Sequence, residues 1–145
     1  MSLEAIQSIR IRDITDGVAQ SMSTHEYFTC GRCWELAEAL HELAPQSRII
    51  EIRVSNGCWS MLVHAGIEID GKVIDIEGCH DALTWISRWS APWEDAAVSY
   101  RNGQGVFLRF ENRRTMWIAR HMASRLSSIL PETFKGTRED TKKAA

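Results

Sequence analysis

At 145 residues, with 44% hydrophobic and 25% charged side chains, the chain suits a single globular domain that needs no metal or disulfide to hold a core. A formal net charge of −2 leaves no basic footprint for nucleic acid or an anionic membrane. The opening "MSLEAIQSIRIRD" lacks the apolar segment of a signal peptide, and no apolar run approaches the roughly 18 residues of a membrane span, so a cytoplasmic protein is expected. In a reducing compartment Cys30, Cys33, Cys58 and Cys79 are expected to serve catalysis, metal binding or plain burial rather than disulfides.

In chain order, Ile6, Ile9, Ile14, Val18 and Met22 recur at loosely helical spacing and predict one or two short helices over 3–22. Trp34, Leu36, Ala37, Leu40 and Leu43 form a 3.6-residue stripe that predicts a helix over 30–43, stopped by Pro45. "RIIEIRV" alternates and predicts a strand over 48–54. "WSMLVHAGIEIDGKVIDIEG" holds Asp70-Gly71 between two alternating runs and predicts a hairpin of strands 59–69 and 72–77. Short helices are expected over 80–89 and 91–100, a strand over 105–110 and an amphipathic helix over 113–130. The polar stretch 135–145 is expected to be disordered, leaving one α+β domain over 1–134 with a helix packed on about four antiparallel strands.

The hairpin places two polar side chains together. A two-residue turn sets Ile69 opposite Lys72 and Ile67 opposite Ile74, so Ala65, Ile67, Ile69, Ile74 and Ile76, with Val63, form the apolar face. His64, Gly66 and Asp75 then share the other face, His64 and Asp75 diagonally, with Gly66 leaving open space between them. A carboxylate on one imidazole nitrogen fixes the tautomer and leaves the other nitrogen to take a proton. On most hairpins such a face is merely polar and wet.

Cys33 supplies a reason to read it otherwise. It stands in the first turn of the 30–43 helix, where unpaired N–H groups and the helix dipole favour an anion, so a depressed thiol pKa is expected. Those N–H groups also suit an oxyanion.

The stretch "CGRCW" resembles the signature of papain-type proteases, whose second cysteine is the nucleophile. With "HAGIEIDGKVIDIEG" downstream, residues 29–78 are most similar to the compact papain-like and transglutaminase-core branch, where the order is Cys, His, Asp. The resemblance implies a papain-like fold without cofactor, and a Cys33–His64–Asp75 triad acting as a thiol protease, amidase or deamidase on a protein or peptide. A transglutaminase would use the same machinery. The glutamine that papain-type enzymes carry six residues before the nucleophile is replaced by Tyr27, so the oxyanion donor is open among Tyr27, Gln20 and Thr29, with Trp34 and Gly66 as lining candidates. A His64 nitrogen within about 4 Å of the Cys33 sulfur is expected.

Two rival readings use the same cysteines. Cys30, Cys33, Cys79 and His80 form a tolerable zinc set for a non-enzymatic interaction module, and "CGRC" at a helix start also fits a thioredoxin-like site. "SMSTHEYF" is too polar for the buried strand that a thioredoxin-like site requires. His25 is a candidate site neighbour, His41 and His121 are read as ordinary helix residues, and Trp85, Trp89 and Trp93 as core or cleft wall.

Overall fold

The Asp70-Gly71 turn forms with both residues at positive φ, 49° and 78°, the conformation that matches the right-handed twist of the strands it joins. A computed structural model describes residues 1–11, 22–29, 31–101 and 113–130. Gln20, Cys30, the predicted strand 105–110 and the predicted tail 135–145 lie outside the described residues.

Among the described residues the helices are α1 (Leu3–Ser8), α2 (Thr24–Tyr27), α3 (Cys33–Leu43), α4 (Ala82–Ser90) and α5 (Arg113–Ile129). The strands are β1 (Arg48–Asn56), β2 (Trp59–Ile69), β3 (Lys72–Asp75), β4 (Gly78–Asp81) and β5 (Ala96–Arg101). They form one five-stranded antiparallel sheet in the order β4-β3-β2-β1-β5, so the fold is α+β. No described helix is long and apolar enough to cross a membrane.

Two expectations are corrected. Within the helix expected over 91–100, residues 96–100 instead belong to β5, which pairs with β1 from Ile49↔Arg101 to Val54↔Ala96. The second hairpin strand ends at Asp75 rather than 77, because the chain turns there into β4, which pairs back on β3. Among the described residues the sheet has five strands, β4 and β5 joining the three expected at 48–54, 59–69 and 72–77.

One face of the sheet carries the main core. Ile49, Ala65, Ile67, Ile69, Ile74 and Ile76 pack with Leu36, Ala37 and Leu40 of α3 and with Met122, Ala123 and Leu126 of α5, so α3 lies between the sheet and α5. Glu38 and Glu51 are also buried on this side, held by Arg101 at 2.6 Å and Arg53 at 3.2 Å. Buried charges persist only when paired in this way.

The opposite face is covered by α4. Ile50, Ile52 and Val73 pack with Trp85, and Val63, Ile86, Trp89, Ala96 and Val98 close around them. Val63 was expected on the main core face. A bulge between Ile52 and Arg53, opposite His64 and Leu62, inserts Val63 as an extra residue, shifts the alternation and sends it to the α4 side.

Candidate functional site

The hairpin register is the expected one, Ile67↔Ile74, Glu68↔Val73 and Ile69↔Lys72, and it brings His64 and Asp75 together on the α4 face. His64 Nε2 lies 2.9 Å from Asp75 Oδ2, and both side chains are buried. Asp75 receives two further donors, the Trp85 indole N–H at 2.8 Å on Oδ2 and the Glu77 backbone N–H at 2.8 Å on Oδ1. Burial alone would push the Asp75 carboxyl up. The hydrogen bonds and charge of His64, then the Trp85 and Glu77 donors, outweigh it and hold the group below the ordinary carboxylate value.

An ionised carboxylate only accepts, so Nε2 donates to Asp75 and Nδ1 is the ring nitrogen left for another partner. That atom is buried and makes no hydrogen bond among the described residues. Trp89 stacks on the imidazole with ring centroids 3.7 Å apart and planes 23° apart, shielding it from solvent. Sequence reasoning left the three tryptophans of the α4 region undivided. The structure separates them into a buried anchor on Asp75 (Trp85), a stacking cover on His64 (Trp89) and an exposed ring (Trp93). Their four-residue spacing was visible, but their partners depend on how α4 lies on the sheet.

Cys33 is the first residue of α3 and is buried within the main core cluster. Burial pushes its thiol up to about 12, the backbone N–H groups of Ala65, Trp34 and Cys33 itself pull the other way, and the Asp75 charge adds to the rise. The depressed pKa expected from the helix start is thus overturned, because desolvation outweighs the aligned N–H groups. The direct thiol–imidazole bond is absent as well: the sulfur is engaged at the Ala65 N–H, one residue beyond His64, while Nδ1 bonds nothing. The sulfur thus meets the backbone of the residue that follows His64, while the His64–Asp75 pair is assembled on the α4 face.

Gly66 does not leave open space. A Cβ there would lie 2.9 Å from the Ile74 carbonyl oxygen and 2.9 Å from Val73 Cγ1, so the residue permits close approach of β3. Gly66→Ala is expected to destabilise the protein by about 1–3 kcal/mol in urea unfolding, since the clash is with backbone. An unchanged midpoint would refute that packing role.

Tyr27 sits in α2 with its ring edge-on to Phe28 at 4.9 Å and the Arg32 guanidinium 5.9 Å from the ring centroid. Trp34 follows Cys33 and contributes its backbone N–H to the sulfur. Thr29 Oγ1 donates to the His25 carbonyl at 2.8 Å. His25 Nε2 lies 3.7 Å from Glu77 Oε2, which also holds Arg88 at 2.8 Å, placing His25 at the rim of the dyad. His41 bonds Ser47 at 3.0 Å, and His121, lowered by burial and by Arg125, accepts from Arg125 at 3.0 Å, so both have local structural roles.

The zinc set does not assemble among the described residues. Cys79 and His80 are consecutive in β4 and point to opposite faces, Cys79 opposite Ile74 and His80 opposite Val73, while His80 Nε2 bonds the Glu77 carbonyl at 3.1 Å. No group of three His, Cys, Asp or Glu side chains among the described residues is arranged to hold a metal.

No curated protein and no solved structure matches the chain. The family described as Phage YunG-like protein matches residues 9–117, a span that includes Cys33, the whole His64–Asp75 hairpin and both tryptophans that touch the dyad. The chain belongs to the Phage YunG-like protein family.

Proposed function

We propose that this protein is a thiol-dependent acyl-transfer enzyme of papain-like character, a cysteine peptidase, amidase or deamidase acting on a protein or peptide. The observation that carries the reading is His64, whose Nε2 is committed to an ionised Asp75 while its buried Nδ1 makes no hydrogen bond among the described residues, one residue from the N–H that meets the Cys33 sulfur. A surface histidine of a structural hairpin needs neither that carboxylate nor that shielding.

In the proposed reaction the Cys33 sulfur turns from the Ala65 N–H toward Nδ1, gives its proton to Nδ1 and bonds the substrate carbonyl carbon. The N–H groups of Cys33 and Trp34, already directed at the sulfur, hold the developing oxyanion. Collapse breaks the carbon–nitrogen bond, and the departing amine takes the proton from His64. Attack by water on the thioester then gives hydrolysis, and attack by an amine gives transamidation. Asp75 orients His64 throughout.

The reading is tested by incubating the protein with p-nitrophenyl acetate and mapping acetylated peptides. One acetyl group on Cys33, with p-nitrophenolate released in step, is expected in the native protein and lost in the His64→Ala variant. Acetylation confined to the exposed Cys58, or equal acetylation of Cys33 with and without His64, refutes the mechanism.

A further inference from the structure

Away from the dyad, α1 packs on α5, and between them lies a cavity of about 560 Å³, a volume in the range of small-molecule sites. Ile9 and Arg10 line it from the end of α1, and Trp117, His121 and Arg125 line it from α5. Two arginines and a histidine thus face one cavity, with no carboxylate in its lining among the described residues, in a protein whose net charge is −2.

Arg125 stands out among the arginines. Arg32, Arg48, Arg53, Arg88, Arg101 and Arg120 each hold a carboxylate. Arg125 is half-buried and holds none among the described residues: its Nε donates to His121 Nε2 at 3.0 Å, and its Nη1 lies 3.3 Å from the Met1 sulfur, a weak acceptor. A guanidinium offers five donors in a flat fork shaped for carboxylate or phosphate. Here the fork is held at the cavity wall by an imidazole and a thioether, without the anion it fits best.

An open indole lies beside it. Trp117, His121 and Arg125 follow one another at four-residue intervals and so share one face of α5. Arg125 reaches back one turn to His121, which leaves its guanidinium about one further turn, roughly 5.4 Å, from the position of Trp117. Trp117 is 44% exposed, a large flat ring open to solvent at the cavity.

We propose that the cavity between α1 and α5 binds a small organic anion, an aromatic ring carrying a phosphate or carboxylate, with the anion on Arg125 and the ring on Trp117. Binding there uses none of the residues of the acyl-transfer site. The spacing of one helical turn suits a ligand whose charge is attached directly to its ring. His121 fits the same ligand: burial and then the Arg125 charge hold its pKa below the ordinary value, and an anion on Arg125 offsets the second cause.

The test titrates phenyl phosphate and, separately, benzoate into the full chain and follows the Trp117 indole N–H and the His121 ring protons by NMR. Saturable shifts at both residues are expected from at least one probe, and the probe that binds tighter identifies the anion. Phenol, which lacks the charge, and inorganic phosphate, which lacks the ring, are each expected to bind about tenfold more weakly. Arg125→Gln is expected to weaken the tighter probe about tenfold, with Arg125→Lys between the two. Trp117→Ala is expected to weaken that probe about tenfold and to leave inorganic phosphate unchanged. The His121 pKa is expected to rise when the site is filled. Thermal unfolding verifies that the three variants fold. Absence of saturable shifts with both probes, equal binding of phenol or inorganic phosphate, or affinities untouched by Arg125→Gln and Trp117→Ala overturns the proposal.

Discussion

The Asp75→Asn variant is expected to lose about 3 kcal/mol of stability at pH 7, because three buried donors converge on a carboxylate that the amide cannot replace. Asparagine keeps one accepting oxygen, and its NH2 group must face one of the N–H groups of His64, Trp85 or Glu77. The loss has a predictable pH dependence. The folded-state pKa of Asp75 lies below the unfolded value of about 3.9, so the unfolded chain binds the proton more readily. The contribution of the ionised group is therefore complete above the unfolded value and disappears as pH falls through the folded one. Urea unfolding at pH 7, 5 and 3.5 checks this: the gap between native and variant proteins is expected to hold at pH 7 and 5 and to narrow by pH 3.5. A gap under 1 kcal/mol at pH 7, or one unchanged at pH 3.5, contradicts the proposed role of Asp75.

The dyad was legible in the sequence because a local signal fixes it. Asp70-Gly71 sets the turn, the turn sets the register, and the register puts His64 and Asp75 on one face whatever the rest of the chain does. Helix α3 was legible for a similar reason, since Leu36, Ala37 and Leu40 repeat at helical spacing and all three are buried. Strands β4 and β5 were not legible. "GCHD" is four residues long, and "AAVSYR" contains two alanines and a serine, so neither has much intrinsic strand preference; each is a strand because a neighbour offers a ladder. Sequence also foresaw the position of Cys33 at the helix start but not its ionisation. A helix terminus can be read from spacing, whereas the depth at which the fold buries that terminus is set by β2 and α5.

That burial makes His64 the larger lever on the proposed chemistry. With its pKa at about 12, roughly one Cys33 thiol in 10⁵ is ionised at pH 7, so the reaction cannot draw on a standing thiolate and must remove the proton as attack proceeds. A positioned general base contributes about 10²–10⁴ in rate. The His64→Ala variant is accordingly expected to acetylate Cys33 about 10²–10⁴ times more slowly than the native protein at pH 7. Its dependence on pH should differ in shape as well. Without the imidazole, only hydroxide generates the nucleophile, so the variant's rate should climb about tenfold per pH unit toward the thiol pKa, while the native rate rises far less steeply near neutrality. Rates of Cys33 acetylation by p-nitrophenyl acetate between pH 6 and 10, read by peptide mass, compare the two, and far-UV circular dichroism verifies that the variant is folded. Parallel profiles of similar height would mean that Cys33 reacts independently of His64, and the unbonded Nδ1 would then be a feature of packing rather than of catalysis.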